Sequence, residues 1–213
     1  MSEGTDPSLG GSRAEGKERT RRAILDATLE LTDGLPLAAV SLRQIAKAVG
    51  IVPTAFYRHF ATMEDLGLTL VDESFVTLRA MLREVRRPEG DPAGVIEMAD
   101  RSVRILAEHV AAHRRHFAFI ARERASSPGP VRDAIRHEID LCELELAADL
   151  ARIPGPQSWS NDDLRALSGL IVAMMVTTAE ELIAARPEQV GALTEVARRQ
   201  LRMIVVGAIH WNP

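Results

Sequence analysis

Residues 41 to 60 read SLRQIAKAVGIVPTAFYRHF, and the fold follows from how that stretch divides. Ser41 followed three positions later by Gln44 is a capping-box pattern, in which two side chains satisfy backbone donors reciprocally at a helix start. At 100° per residue, Leu42, Ile45, Ala46 and Val49 share one face while Arg43, Gln44 and Lys47 lie away from it. Gly50 suits a left-handed residue that closes a helix, and Pro53 suits a first helical position. The spacing therefore predicts helices at 42 to 49 and 53 to 60 joined by a short turn. On the second, Phe56 and Phe60 face inward while Thr54, Tyr57 and Arg58 cluster on the other side. That is a helix-turn-helix, whose polar second helix can enter a major groove roughly 12 Å wide.

The residue types on that face suit DNA. The Thr54 hydroxyl can hydrogen-bond a base edge and its methyl can pack on a thymine methyl, while Arg58 can reach guanine or a phosphate. Tyr57 and His59 read as backbone clamps, with Ser41, Arg43, Gln44 and Ala55 completing the expected contact surface. Arg21, with Arg19 and Arg22, adds positive charge from the preceding helix. Any amphipathic helix pair gives such a pattern. Against that bland reading, three of the chain's eight aromatics fall within residues 56 to 60.

Outward from this segment the pattern is helical. Breakers recur at 34 to 36, 87 to 92, 126 to 130 and 153 to 156, and no run shows sustained period-two alternation. Residues 19 to 32 place Ala23, Ile24, Ala27, Thr28 and Leu31 on one stripe, and a long helix runs from near Met63 to about Arg86. The expectation is an all-α protein of about nine helices. It comprises a flexible arm at 1 to 18, a three-helix DNA-binding domain at 19 to 62, and a helical ligand-binding and dimerisation domain at 63 to 213.

Composition narrows the function. With 213 residues, 46% apolar and 26% charged, the chain has the ordinary balance of a folded domain. The net charge of -4 is uneven: residues 13 to 62 carry a balance of +3 and residues 63 to 213 one of -5, as expected when only one end meets a polyanion. A single cysteine, Cys142, excludes an internal disulfide and a cysteine-based zinc cluster. The longest apolar runs, 169 to 176 and 203 to 209, fall short of a membrane span, and the polar, Gly-rich start lacks the features of an export signal. The expected location is cytoplasmic, without membrane association. No Ser, His and Asp arrangement, carboxylate pair or phosphate-cradling Gly loop stands out, so no enzymatic activity, cofactor or metal is expected.

TRRAILDATLEL at 20 to 31 followed by SLRQIAKAVGIVPTAFYRHF resembles, in order and spacing, the DNA-binding domain of the TetR family of one-component repressors. VPTAFYRHF, DLGLTLVDES at 65 to 74, the RER at 122 to 124 and QLRMI at 200 to 204 resemble most the FabR and DesT group, repressors of unsaturated fatty acid synthesis. The resemblance implies a homodimer on an inverted repeat, with Thr54, Tyr57, Arg58 and His59 on DNA and a long acyl thioester (acyl-CoA) as effector. Many such proteins carry a phosphate-touching Lys where Met63 stands here.

In the larger domain the candidate effector-lining residues are Phe75, Leu78, Leu82, Ile105, Phe117, Ile120, Met174 and Thr178, on apolar faces that would also form an ordinary core. Arg122 and Arg124 could hold carrier phosphates at a pocket mouth or instead pair with Glu123 and nearby acids. His109, His113 and His116 would converge on an unbroken helix as metal ligands might, but the resemblance places a break near Arg114. The last two helices, about 162 to 185 and 187 to 209, are too apolar to be enclosed in one chain, so they are expected to pair with their copies across a two-fold axis. The partners expected are thus palindromic double-stranded DNA, a second copy and a hydrophobic small molecule. An unrelated apolar compound controlling an efflux or catabolic operon is the alternative effector reading.

Overall fold

A computed structural model describes residues 8–85, 94–126, 128–152 and 159–211. Among them are nine α-helices, a 3-10 turn at Leu37–Ala39 and no strand. They are α1 (Ser8–Leu31), α2 (Leu42–Val49), α3 (Pro53–Phe56), α4 (Met63–Val85), α5 (Val95–Ala112), α6 (Arg114–Arg124), α7 (Pro130–Leu150), α8 (Asn161–Ala184) and α9 (Pro187–Ile209). The breakers at 87 to 92 and 153 to 156 lie outside the described residues, as does the start of the expected arm, residues 1 to 7. Residues 8 to 18 are helical, so α1 begins eleven positions before the expected Arg19.

The amphipathic stripe of α1 is turned from the one the sequence suggested. Ile24, Leu25, Thr28, Leu29 and Thr32 are buried, while Ala23, Ala27 and Leu31 are only half-covered. Two threonines could be mistaken for surface residues, but each hydroxyl donates to a carbonyl one turn back, Thr28 to Ile24 at 2.7 Å and Thr32 to Thr28 at 2.9 Å. A buried hydroxyl satisfied in this way carries little desolvation penalty.

One core joins the first three helices to the larger half. Ile24, Leu29, Ile45, Phe56 and Phe60 pack in a single cluster with Leu66, Leu70 and Phe75 of α4, Phe119 of α6 and Ile135 of α7. No core boundary therefore falls at residue 62. A second cluster centres on Met81, Ile105, Leu106, Phe117 and Leu182, and a third on Ala99, Val103, Ala197 and Leu201. At Gly67 α4 lies close against its neighbours: a Cβ there would lie 2.6 Å from Leu37 Cδ2 and 2.8 Å from Val131 Cγ2.

α8 and α9 pack on each other and on α5 and α7, yet they present apolar side chains outward. Ala166, Leu170, Ala173 and Thr177 form an exposed stripe along α8, and Val196, Met203, Val206 and Ile209 are exposed on α9, with Trp211 beyond it. By length and composition α8 is apolar enough to cross a membrane, although its uninterrupted apolar run is short. Its partly buried ends carry Asp163 and Glu180, and its inner side belongs to the protein core.

Candidate nucleic-acid interface and apolar cavity

The capping box at Ser41 forms as the sequence indicates. The Gln44 N–H donates to Ser41 Oγ at 3.3 Å, and the Ser41 N–H donates to Gln44 Oε1 at 2.8 Å. The Ser41 hydroxyl donates to that same Oε1 at 2.7 Å, so Ser41 serves helix geometry and Gln44 keeps its Nε2 amide and exposed position for other contacts. Gly50 closes α2 at φ 75°, a conformation that suits glycine because it lacks Cβ.

α3 is shorter than expected. Helical geometry ends at Phe56, and the N–H groups of Arg58 and His59 bond the carbonyls of Ala55 and Phe56, three residues back, in a tightened turn. The tightening keeps the expected sidedness. Phe56 and Phe60 are fully buried with ring centroids 5.7 Å apart, and Thr54, Tyr57 and Arg58 are exposed, with Arg43 beside them on the exposed side of α2. Ala55 is half-buried. Tyr57 is 62% exposed although its ring edge meets Phe56, an unusual position for a large ring that no partner covers. Val52 and Pro53, which the sequence reading did not place on the contact surface, are exposed at the entrance of the same helix.

Arg21 has a different place from the one expected. Its Nη1 donates to the His59 carbonyl at 3.1 Å, and its guanidinium carbon stands 4.4 Å over the Phe60 ring. It locks α1 to the end of the reading unit. Arg22 is paired with Asp26 at 2.7 Å and Glu73 at 2.8 Å, so its expected contribution to the basic surface is neutralised. Arg19 remains exposed. Lys17, one turn before Arg21, lies close enough to His59 to depress its basicity and is a cation the sequence reading assigned to the arm. His59 sits below the usual histidine range because of burial first, then Lys17, Arg21 and Arg58, and its Nδ1 is buried without a hydrogen-bond partner. These groups make a locally positive surface beside the exposed Tyr57 and Arg58. At the start of α4, Thr62 and Asp65 cap the helix and Met63 packs against the core, so Met63 supplies no cation there.

The larger half contains an apolar cavity of about 550 Å³, walled by α4, α5, α7, α8 and α9 and including Met81, Leu82, Val85, Ile171 and Val205. A smaller chamber of about 120 Å³ abuts it on five shared side chains, Met81, Leu82, Cys142, Val172 and Met175. Of the expected lining residues, Phe75, Leu78, Leu82, Phe117, Ile120 and Arg124 border these spaces. Ile105 is buried in the second core cluster, Met174 packs against the third, and the Thr178 hydroxyl donates to the Met174 carbonyl; none of the three borders either space. Met81, Cys142 and Val172 were missed because their sequence signature is that of any core residue.

The two arginines divide. Arg124 borders the small chamber and is paired with Glu180 of α8. Arg122 is not at the cavity: its Nε and Nη2 donate to the carbonyls of Thr32 and Asp33 at 3.1 and 2.6 Å, at the end of α1. Glu123 between them pairs with neither, and accepts the Leu37 N–H at 2.7 Å. The expected helix break occurs at His113, between α5 and α6. His109 bonds Glu84 at 3.0 Å and His116 bonds Ser74 at 3.0 Å, so the three histidines do not converge. Among the described residues no group of three His, Cys, Asp or Glu is placed to hold a metal.

Residues 24–68 match the family model for bacterial regulatory proteins of the tetR family, and residues 95–207 match that of the tetracyclin repressor-like C-terminal domain. Solved structures share the fold. A fatty acid degradation regulator, FadR, from Bacillus halodurans is 15% identical with a TM-score of 0.68, over 94% of this chain and 97% of that one. A transcriptional regulator from a Rhodococcus species is 22% identical with a TM-score of 0.66, over 90% and 99%. A TetR family transcriptional regulator from Chloroflexus aurantiacus is 16% identical with a TM-score of 0.64, over 89% and 93%.

Proposed function

The chain belongs to the tetR family of bacterial regulatory proteins, a transcriptional regulator rather than an enzyme, and from that premise we propose that it is a cytoplasmic homodimeric repressor. Its operator is palindromic, and its operator affinity is set by a hydrophobic effector held in the cavity. Thr54 reads a base edge, Tyr57, Arg58 and His59 hold phosphates, and Arg43 and the Gln44 amide flank them. The observation that carries the DNA reading is the exposed Thr54, Tyr57 and Arg58 face backed by the fully buried Phe56 and Phe60. A flat, rigid polar probe of this kind meets the steric demand of a major groove.

The exposed apolar stripes of α8 and α9 support pairing of these helices with their copies. Two reading heads about one DNA turn apart then meet two half-sites, and any change in their spacing alters affinity. Small residues such as Ala166 and Ala173 on the α8 stripe permit close helix approach.

A long acyl thioester that regulates fatty acid metabolism is the effector reading that the cavity's size and apolar walls support. The larger space, about 550 Å³, has a volume typical of ligand sites. The Bacillus halodurans relative, described as a fatty acid degradation regulator, points the same way. One observation favours the second reading, an uncharged apolar compound controlling an efflux or catabolic operon. Arg122 is committed to α1 and Arg124 to Glu180, so neither offers an unspent guanidinium to carrier phosphates.

The test selects duplexes from a random pool with the wild-type protein, then measures binding against salt for wild type, Tyr57→Phe and Arg58→Ala. Loss of one phosphate contact weakens binding and lowers the salt slope by about one unit. Variants indistinguishable from wild type would remove these assignments. Titrating a sixteen-carbon acyl thioester into the complex tests the effector, and an unchanged operator affinity would reject it.

A further inference from the structure

We infer that Glu123, with Arg122, is a positioning residue that links the cavity wall to the connection between α1 and α2. This gives the reading head a second attachment, apart from α4. The inference rests on the reading above that cavity occupancy alters operator binding.

α6 is only eleven residues long, and it has two occupations. Phe117, Ile120, Ala121 and Arg124 border the small chamber. Arg122 and Glu123, in the same turns, reach the connection at 32 to 37. Arg122 donates to the carbonyls of Thr32 and Asp33, while Arg114 at the other end of α6 donates to Asp33 Oδ1 at 3.1 Å. Glu123 Oε1 accepts from the Leu37 N–H. The connection is thus held at its beginning and near its middle by one short helix.

Glu123 is the more informative member. It is 4% exposed, and its partner in this contact is a neutral amide rather than a guanidinium. Burying a carboxylate is costly, and a single backbone amide returns only part of that cost. A residue whose sole task was to fill space would be apolar. What the carboxylate does is fix Leu37, whose side chain packs against α4 so closely that Gly67 leaves no room for a Cβ. Leu37 opens the 3-10 turn that leads to the Ser41 cap of α2. A shift of α6, driven by what fills the chamber, therefore pulls on the start of α2 through directional, charge-assisted bonds. Such a link counts as coupling only if it biases two arrangements unequally, which is what the experiment measures.

The cavity is filled in two ways, by Val172→Phe, since Val172 borders both spaces, and by a sixteen-carbon acyl thioester. Operator affinity is measured in wild type, Glu123→Ala and Glu123→Gln backgrounds, on a duplex selected by the wild-type protein. At least one filling changes wild-type affinity by about fivefold or more, the lower range of allosteric coupling. In Glu123→Ala that change falls below about twofold, while Glu123→Gln, which keeps an acceptor oxygen, retains it. A change of the same size in Glu123→Ala overturns the link and leaves the cavity reading standing. If neither filling shifts wild-type affinity, the cavity reading itself fails and the link with it. Should Glu123→Ala melt before folding can be shown, Arg122→Gln, which cuts the bonds to Thr32 and Asp33, takes its place: a change below about twofold supports the link, and an undiminished one overturns it.

Discussion

Arg21 Nη1 donates to the backbone carbonyl of His59 at 3.1 Å, bridging 38 positions of sequence. The same guanidinium covers the Phe60 ring, so the turn that carries Tyr57 and Arg58 is clamped from α1. Arg21→Ala removes a charged hydrogen bond and a cation–π contact, which together hold roughly 1 to 3 kcal/mol. Operator affinity falls for every sequence while the salt slope stays at its wild-type value, because no phosphate contact is lost. A slope reduced by about one unit in Arg21→Ala would instead make it a phosphate ligand. Binding isotherms at several salt concentrations check this.

Thr54 stands exposed at the second position of α3. Thr54→Val keeps the methyl and removes the hydroxyl. Discrimination at one operator position relaxes by about 1 to 3 kcal/mol, with little effect on other positions. Competition binding with single-base operator variants shows whether the loss is confined to that position.

Histidine titration gives pH effects of opposite sign in binding and folding. For binding, His59 is held below its ordinary range by burial and by Lys17, Arg21 and Arg58. A phosphate beside it raises its basicity, so the complex takes up a proton and operator affinity increases as pH falls toward about 6. In His59→Gln that extra increase disappears. An equal pH dependence in both proteins would detach His59 from the phosphates.

For folding, His116 is also held below its ordinary range, with burial the largest cause; Glu73 and Asp26 oppose the shift, and Arg22 and His113 add to it. The Ser74 hydroxyl donates to the Leu70 carbonyl at 2.7 Å, so His116 Nδ1–H donates to Ser74. The unfolded chain takes a proton more readily than the folded one. Stability at this residue is present above the ordinary value near 6.5 and is lost as pH drops below it. Melting curves between about pH 7.5 and 5 should decline less steeply for His116→Gln than for wild type.

Gly67 sets two effects against each other. Replacing a helical glycine with alanine gains about 1 kcal/mol of propensity, whereas overpacking costs typically 1 to 3. Both atoms that a Cβ would strike, Leu37 Cδ2 and Val131 Cγ2, belong to side chains at least half-buried in the first core, so the cost prevails. Gly67→Ala is expected to lower stability by about 1 kcal/mol in denaturant unfolding, and an increase would show that Leu37 can yield.

Met203 is 66% exposed at the centre of the apolar α9 stripe. Met203→Asp places a charge where a second copy is proposed to pack, so sedimentation should report a monomer and operator binding should drop by at least about tenfold. A persisting dimer would put the interface elsewhere.

What the sequence disclosed was local. The reciprocal Ser41 and Gln44 cap, Gly50 and the inward Phe56 and Phe60 depend on neighbours within a turn or two, and each appears in the structure. The α1 stripe was misplaced because Leu25, Leu29 and Thr32 are chosen by tertiary partners, and threonine hides its hydroxyl against the helix backbone. The length of α3 was overstated because the turn at 57 to 59 tightens to bonds three residues back, at Arg58 and His59, while keeping helical sidedness. Arg122 and Arg124 differ by two positions and face different elements, α1 and α8; only long-range packing separates them. The cavity walls share their composition with the core, and no periodicity tells a filled space from an open one.

The shared interior of α1, α3, α4, α6 and α7 has a consequence for protein engineering. A chimera that exchanges operator preference between two such proteins cannot be spliced at residue 62, because the graft would strip Phe56 and Phe60 of Leu66, Leu70 and Phe75. Specificity is transplantable only if the first four turns of α4, through Phe75, travel with the head, or if the exchange is limited to outward side chains.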